Sequence, residues 1–175
     1  MKKKGFTLVE LLAVIAILAI LVIVAMPNVL GMFNQAKANS YITEVQKYMD
    51  NAKTEFINKG ISIGGKEIIF TSKKDNGYKS VLDNSTAVPE GQIFTLDMDG
   101  APKNYVIWFD RNGNFQRVVI YDDNFCYDSM ETGLTATAMD KSSVNVSQLK
   151  ERADETLPIE ARSNSVCTGQ AVQLD

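Results

Sequence analysis

Between Phe6 and Met26 the chain reads FTLVELLAVIAILAILVIVAM, in which only Thr7 and Glu10 are polar. At about 1.5 Å per residue this window forms a helix roughly 31 Å long, close to the hydrocarbon thickness of a bilayer. Leu11 to Met26 is apolar on every face, so the helix must lie among lipid or among other apolar helices. Lys2, Lys3 and Lys4 precede it and are expected to stay on the cytoplasmic side. A secretory signal has a shorter apolar region, about 7 to 15 residues, followed by a small-residue cleavage site. No such site follows Met26; the chain continues through Pro27, Asn28 and Gly31 into polar sequence that keeps a helical period. A charge held in hydrocarbon without a partner is costly, so Glu10 needs a reason to be there.

The run Lys2-Lys3-Lys4-Gly5-Phe6-Thr7-Leu8-Val9-Glu10 resembles the class III leader of type IV pilins and pseudopilins. The resemblance covers about the first 30 residues. It implies that a prepilin peptidase cuts between Gly5 and Phe6 and methylates the new amine of Phe6, which makes Glu10 the fifth mature residue. Pro27 matches a proline that the family often carries in this helix. The physics is consistent with that implication. A positive amine one helical turn from a carboxylate in low dielectric strongly favours charge neutralisation, and a neighbouring copy can supply the amine. Phe6 and Glu10 are therefore the expected register and assembly residues, with Leu8, Leu11, Leu12 and Ile15 in the filament core. A first-turn acid that merely favours the helix dipole or snorkels to the headgroups is the plainer alternative.

Removing residues 1–5 leaves 170 residues and moves the formal charge from −3 to −6, because three lysines leave with the leader. A mildly acidic body argues against binding nucleic acid through bulk charge. The chain has no histidine, which removes the commonest proton shuttle and metal ligand. It also lacks a glycine-rich phosphate loop, a nucleophile elbow and a zinc-type cysteine pair. An enzyme is not expected, and neither is a cofactor. Asp97-Met98-Asp99-Gly100 and Asp110-Arg111-Asn112-Gly113-Asn114 place oxygens at alternate positions beside a glycine, which makes Asp97 and Asp99 weak calcium candidates. Ordinary turn chemistry accounts for both segments.

Cys126 and Cys167 lie beyond the membrane segment, and an even count in an exported domain favours a disulfide. Many pilins close a C-terminal loop in this way; two free buried thiols are the alternative. Closing a loop of this size stabilises by about 3 to 4 kcal/mol in the chain-entropy picture.

Apolar residues at Phe33, Tyr41, Ile42, Val45, Tyr48, Met49, Ala52 and Phe56 recur at intervals of three and four, continuing the helix with one apolar face. With Gly60 as the stop, it runs from Phe6 to about Lys59, roughly 80 Å. Pro27 and Gly31 are expected to kink it or melt it locally, within about Ile20 to Pro27. Glu67 to Thr71 reads as an edge strand and Ser80 to Asp83 as a helical turn. Gln92 to Asp97, Asn104 to Asp110 and Phe115 to Asp122 read as a three-stranded antiparallel meander, with the Asn-Gly of residues 112–113 as the hairpin signal. Its inner face, Trp108 included, is expected to cover Tyr41 to Phe56. Val146 to Glu155 reads as a short helix and Val166 to Leu174 as a final strand.

The expected architecture is α+β, with a long N-terminal helix whose membrane half protrudes and whose amphipathic half packs on a three- to four-stranded antiparallel sheet, the ladle-shaped pilin fold. Its parts are a cleaved leader (1–5), a transmembrane or filament-core half-helix (6–30), an amphipathic half-helix (31–59) and a globular region (60–175). The resemblance implies a major pilin of a type IV pilus or type IV-like filament, serving adhesion, motility, aggregation or DNA uptake. Its implied partners are further copies in a helical filament, the prepilin peptidase, the membrane before assembly, and an inner-membrane assembly platform with its ATPase. A host surface or DNA is a further candidate partner. The implied location is the cytoplasmic membrane as a single-pass precursor, then a surface filament. The alternatives are a pseudopilin of a type II secretion or competence machine, and a membrane-anchored binding domain that does not polymerise.

Overall fold

The computed structural model describes residues 6–74, 77–98, 103–132, 139, 141–153 and 156–173. They divide into two compact units, Met1–Lys37 with Gln173–Asp175, and Ala38–Val172. Helix α1, Leu8–Ile63, is 56 residues long. It passes Gly60, the expected stop, and ends where Gly64 and Gly65 adopt φ of +72° and +67°. It also runs as continuous α-helix through Ile20 to Pro27, so the single chain does not show the expected local melting. Pro27 withholds a single N–H, whereas the neighbouring turns keep their own donors.

In the first unit the helix is uncovered: the large apolar side chains from Leu8 to Met26 are all exposed. In the second unit the chain forms a six-stranded mixed sheet in the order β2-β1-β3-β4-β5-β6. The strands are β1 (Ile68–Thr71), β2 (Ile93–Phe94), β3 (Asn104–Phe109), β4 (Phe115–Tyr121), β5 (Phe125–Asp128) and β6 (Leu149–Glu151). β1 and β2 are parallel and the remaining pairs antiparallel. The architecture is thus α+β, with a larger and more mixed sheet than expected. The Asn-Gly hairpin joins β3 to β4. The meander, however, is β3-β4-β5, and the segment near Gln92 contributes only β2, two residues paired to β1. β1 is interior rather than an edge, because all four of its residues are buried and it pairs on both sides. Ser80 to Asp83 is a turn without helix.

Side chains alternate across the sheet, and both faces are covered. On one face lies the second half of α1: Tyr48 packs 5.1 Å from Tyr105, Phe56 4.9 Å from Phe109, and Tyr41 5.3 Å from Phe125. Trp108 was expected on this face and lies on the other. It stands one residue from Phe109, and a period of two sends neighbours to opposite sides. Its ring meets Tyr78 edge-on at 5.7 Å, and its Nε1 donates to the Lys79 carbonyl at 3.3 Å. Val106, Val119 and Cys126 share this second core with Leu157, Ala161 and Cys167.

Those last three residues belong to the C-terminal segment, residues 156–172, which lies across the sheet as a strap. Within the expected helix at Val146 to Glu155 the described residues form one 3-10 turn, Val146–Gln148, followed by β6, and 154–155 lie outside the described residues. Asn145 and Gln148 cap that turn reciprocally, after which Leu149 takes up pairing with Tyr127. The expected last strand is reduced to one bridge at the β6 edge, Lys150 with Ala171, because the residues before it cross a face of the sheet. Leu174 lies outside the described residues.

The strap passes so close to β6 that a Cβ built on Gly169 would stand 1.8 Å from the Glu151 carbonyl oxygen. Gly169→Ala is therefore expected to displace the strap backbone and to cost about 1 to 3 kcal/mol in denaturant unfolding of the full chain. Unchanged stability would show that the strap shifts freely.

A charged cluster links α1 to the sheet. Lys103 Nζ lies 2.7 Å from Asp122 and 3.1 Å from Glu44. Burial pushes the Asp122 carboxyl up, but hydrogen bonds from Lys103 and from the Phe125 and Asn124 amides outweigh it and hold the group below its ordinary range. A carboxylate depressed in the folded state contributes stability that is present above its unfolded pKa, about 4, and is lost as pH falls through the lower folded value. Acidification below about pH 4 is expected to loosen the domain, and Asp122→Asn should flatten that part of the stability profile. An acid limb identical in the variant would remove Asp122 from this role.

Candidate functional site

The helix N-terminus carries the most constrained chemistry in the first unit. Thr7 is the N-cap and Glu10 the third helical residue. The Thr7 hydroxyl accepts the Glu10 amide at 3.3 Å, while Glu10 Oε2 accepts both the Thr7 amide and the Thr7 hydroxyl at 2.8 Å. This reciprocal box satisfies two backbone donors that a helix start otherwise leaves open. The sequence signal was present: threonine followed three positions later by glutamate, ahead of an apolar run.

Capping accounts for one carboxylate oxygen only. No hydrogen bond from the described residues reaches Oε1. Phe6 is 81% exposed and Leu8, Val9, Leu11 and Leu12 are all open. Leu8–Met26 is long and apolar enough to cross a membrane, and none of it is buried against this chain. The site is thus a carboxylate with spare accepting capacity, fixed at the head of an apolar rod that needs an outside covering. Gly5 lies outside the described residues, whereas Pro27 and Gly31 lie within α1, some five turns further on.

The other sites named from sequence fall elsewhere. Cys126 and Cys167 are joined by a disulfide across a sequence separation of 41. Asp97 is exposed in a segment outside the strands, and Asp99 lies outside the described residues. Asp110 uses its carboxylate on the amides of Asn112 and Asn114 and on the side chains of Asn114 and Gln116, which is turn chemistry. Among the described residues no three acidic, cysteine or histidine side chains gather in a way that would hold a metal ion.

Residues 1–26 match the family described as the prokaryotic N-terminal methylation motif. No curated protein and no solved structure matches the chain. The motif and the uncovered apolar helix support a type IV pilin-like protein, pilin or pseudopilin, with a class III leader. They fit a membrane-anchored precursor and point to a structural, non-enzymatic role. The motif further implies processing by prepilin peptidase and assembly into filaments.

Proposed function

We propose that this chain is the major pilin of a type IV pilus or type IV-like filament, serving adhesion, motility, aggregation or DNA uptake. Residues 1–5 are the leader, 6–30 the membrane and filament-core half of the helix, 31–59 its amphipathic half, and 60–175 the surface-forming region. The carrying observation is an apolar helix that the described residues leave uncovered, headed by a carboxylate one of whose oxygens accepts no hydrogen bond from them. The peptidase opens the Gly5–Phe6 bond and the new amine of Phe6 is methylated. The precursor waits in the membrane as a single-pass protein until an assembly platform and its ATPase move it into the polymer.

In the filament, an incoming Phe6 amine meets the Glu10 carboxylate of a subunit already in place, which fixes axial register as the apolar surfaces close. Leu8, Leu11, Leu12 and Ile15 supply that packing. Pro27 and Gly31 are the points where the helix gives if assembly demands it, since one backbone hydrogen bond is already missing there. Intact mass of material sheared from the cell surface tests the reading. The expected mass begins at a methylated Phe6 and comes from long filaments. A chain beginning at Met1 contradicts it, and short structures confined to the envelope place the chain in a pseudopilin assembly instead.

A further inference from the structure

Arg117 projects from β4 into the second core, with its side chain wholly buried. Each of its five N–H groups has an acceptor. Nε donates to Asp128 Oδ1 at 3.1 Å, and Nη2 to Asp128 Oδ2 at 2.6 Å and the Asn164 carbonyl at 2.9 Å. Nη1 donates to the Glu160 carbonyl at 3.0 Å and the Ser163 hydroxyl at 2.6 Å. Three of the five bonds therefore go to the strap. Asp128 Oδ2 also accepts the Val166 amide at 2.9 Å. Cys167 is the next residue after Val166, and Cys126 stands two places before Asp128 on β5.

We propose that the Arg117–Asp128 pair docks the strap on the sheet before the disulfide exists and so positions the thiols of Cys126 and Cys167 for oxidation. None of these hydrogen bonds involves sulfur, so all of them are available to the reduced chain. A buried guanidinium is tolerated only when its donors are met, so the strap carbonyls satisfy a need that precedes any covalent bond. In a flexible chain two thiols this far apart meet at an effective concentration on the order of millimolar, and thiols of neighbouring copies in the membrane compete. Docking removes that competition. Oxidation then proceeds by exchange: one cysteine thiolate attacks an exported disulfide-bearing oxidant, and the second cysteine displaces it. Two electrons pass to the oxidant, which leaves as its dithiol with the protons. The inference does not depend on whether the chain polymerises.

The full-length chain in detergent micelles provides the test. In C126S/C167S the Val166 amide is expected to exchange at least 100-fold more slowly than in an unstructured peptide. Adding R117K should speed it at least tenfold while the central amides of β3 and β4 stay protected; D128N serves if R117K unfolds the sheet. In a glutathione buffer, the reduced R117K chain should form its internal disulfide at least tenfold more slowly and yield more linked dimers. Free exchange of Val166 in C126S/C167S overturns the proposal, because the strap would then be held by the covalent bond alone. An unchanged oxidation rate in both Arg117 and Asp128 variants also overturns it.

Discussion

Glu10→Val is expected to leave cleavage after Gly5 intact and to abolish filaments. Losing one partner of a desolvated charge pair costs about 2 to 5 kcal/mol, so each subunit's attachment weakens by well over tenfold, and a polymer multiplies that loss at every step. The capping box supplies the control. Glu10 already serves its own helix through Thr7, and a purely local role predicts that removing the threonine hydroxyl does similar harm. Thr7→Val keeps the carboxylate while losing the cap, which costs about 1 kcal/mol at the helix end. Filaments are expected to persist in Thr7→Val and to disappear in Glu10→Val, as judged by microscopy of sheared surface material. Equal loss in both variants would mean that helix capping, and not a contact between copies, explains the acid.

The second large effect lies in the other unit. Asp128→Ala leaves the Arg117 guanidinium buried with two donors unmatched and also removes the acceptor for Val166. Breaking a buried pair from one side costs about 3 to 5 kcal/mol, a large fraction of the stability of a domain this size. Replacing both partners with apolar residues, as in Arg117→Met with Asp128→Leu, is expected to recover much of that loss in denaturant unfolding, since a shape-matched apolar pair leaves no orphaned charge. It should not restore strap docking, because the acceptors on Glu160, Ser163 and Asn164 lose their donor. A single Asp128→Ala with unchanged midpoint would show that water reaches the guanidinium.

The first unit was legible in sequence because its signals are local. Composition gives the span, and the run from Lys2 to Glu10 carries the resemblance to the class III leader. The amphipathic half of α1 was equally readable, since Tyr41, Val45, Tyr48, Met49 and Ala52 keep one face and all are buried. The helix end was misplaced because a glycine can remain helical at modest cost, whereas two successive positive φ values cannot continue a helix. Sheet order was not legible. That Ile68–Thr71 would insert between β2 and β3 depends on pairing across more than thirty residues, which period and propensity do not encode. Period alone leaves the face of Trp108 undecided, because the sheet is covered on both sides. The signal that decides it is Arg117, an arginine on the same face as Val119 and Tyr121, but its meaning emerges only once Asp128 and the strap stand beside it. Thr7 is legible as a cap from its spacing to Glu10, and the hydrogen bonds between the two residues bear that spacing out.

The contact between copies is read straight from the structure of sheared filaments by electron cryomicroscopy, at a resolution that places the Phe6 amine and the Glu10 side chain. The expected result is a methylated Phe6 nitrogen of one subunit within about 4 Å of the Glu10 carboxylate of another, repeated along the filament axis. A polymer in which every Glu10 contacts only its own Thr7, with no amine from a neighbour nearby, would contradict it.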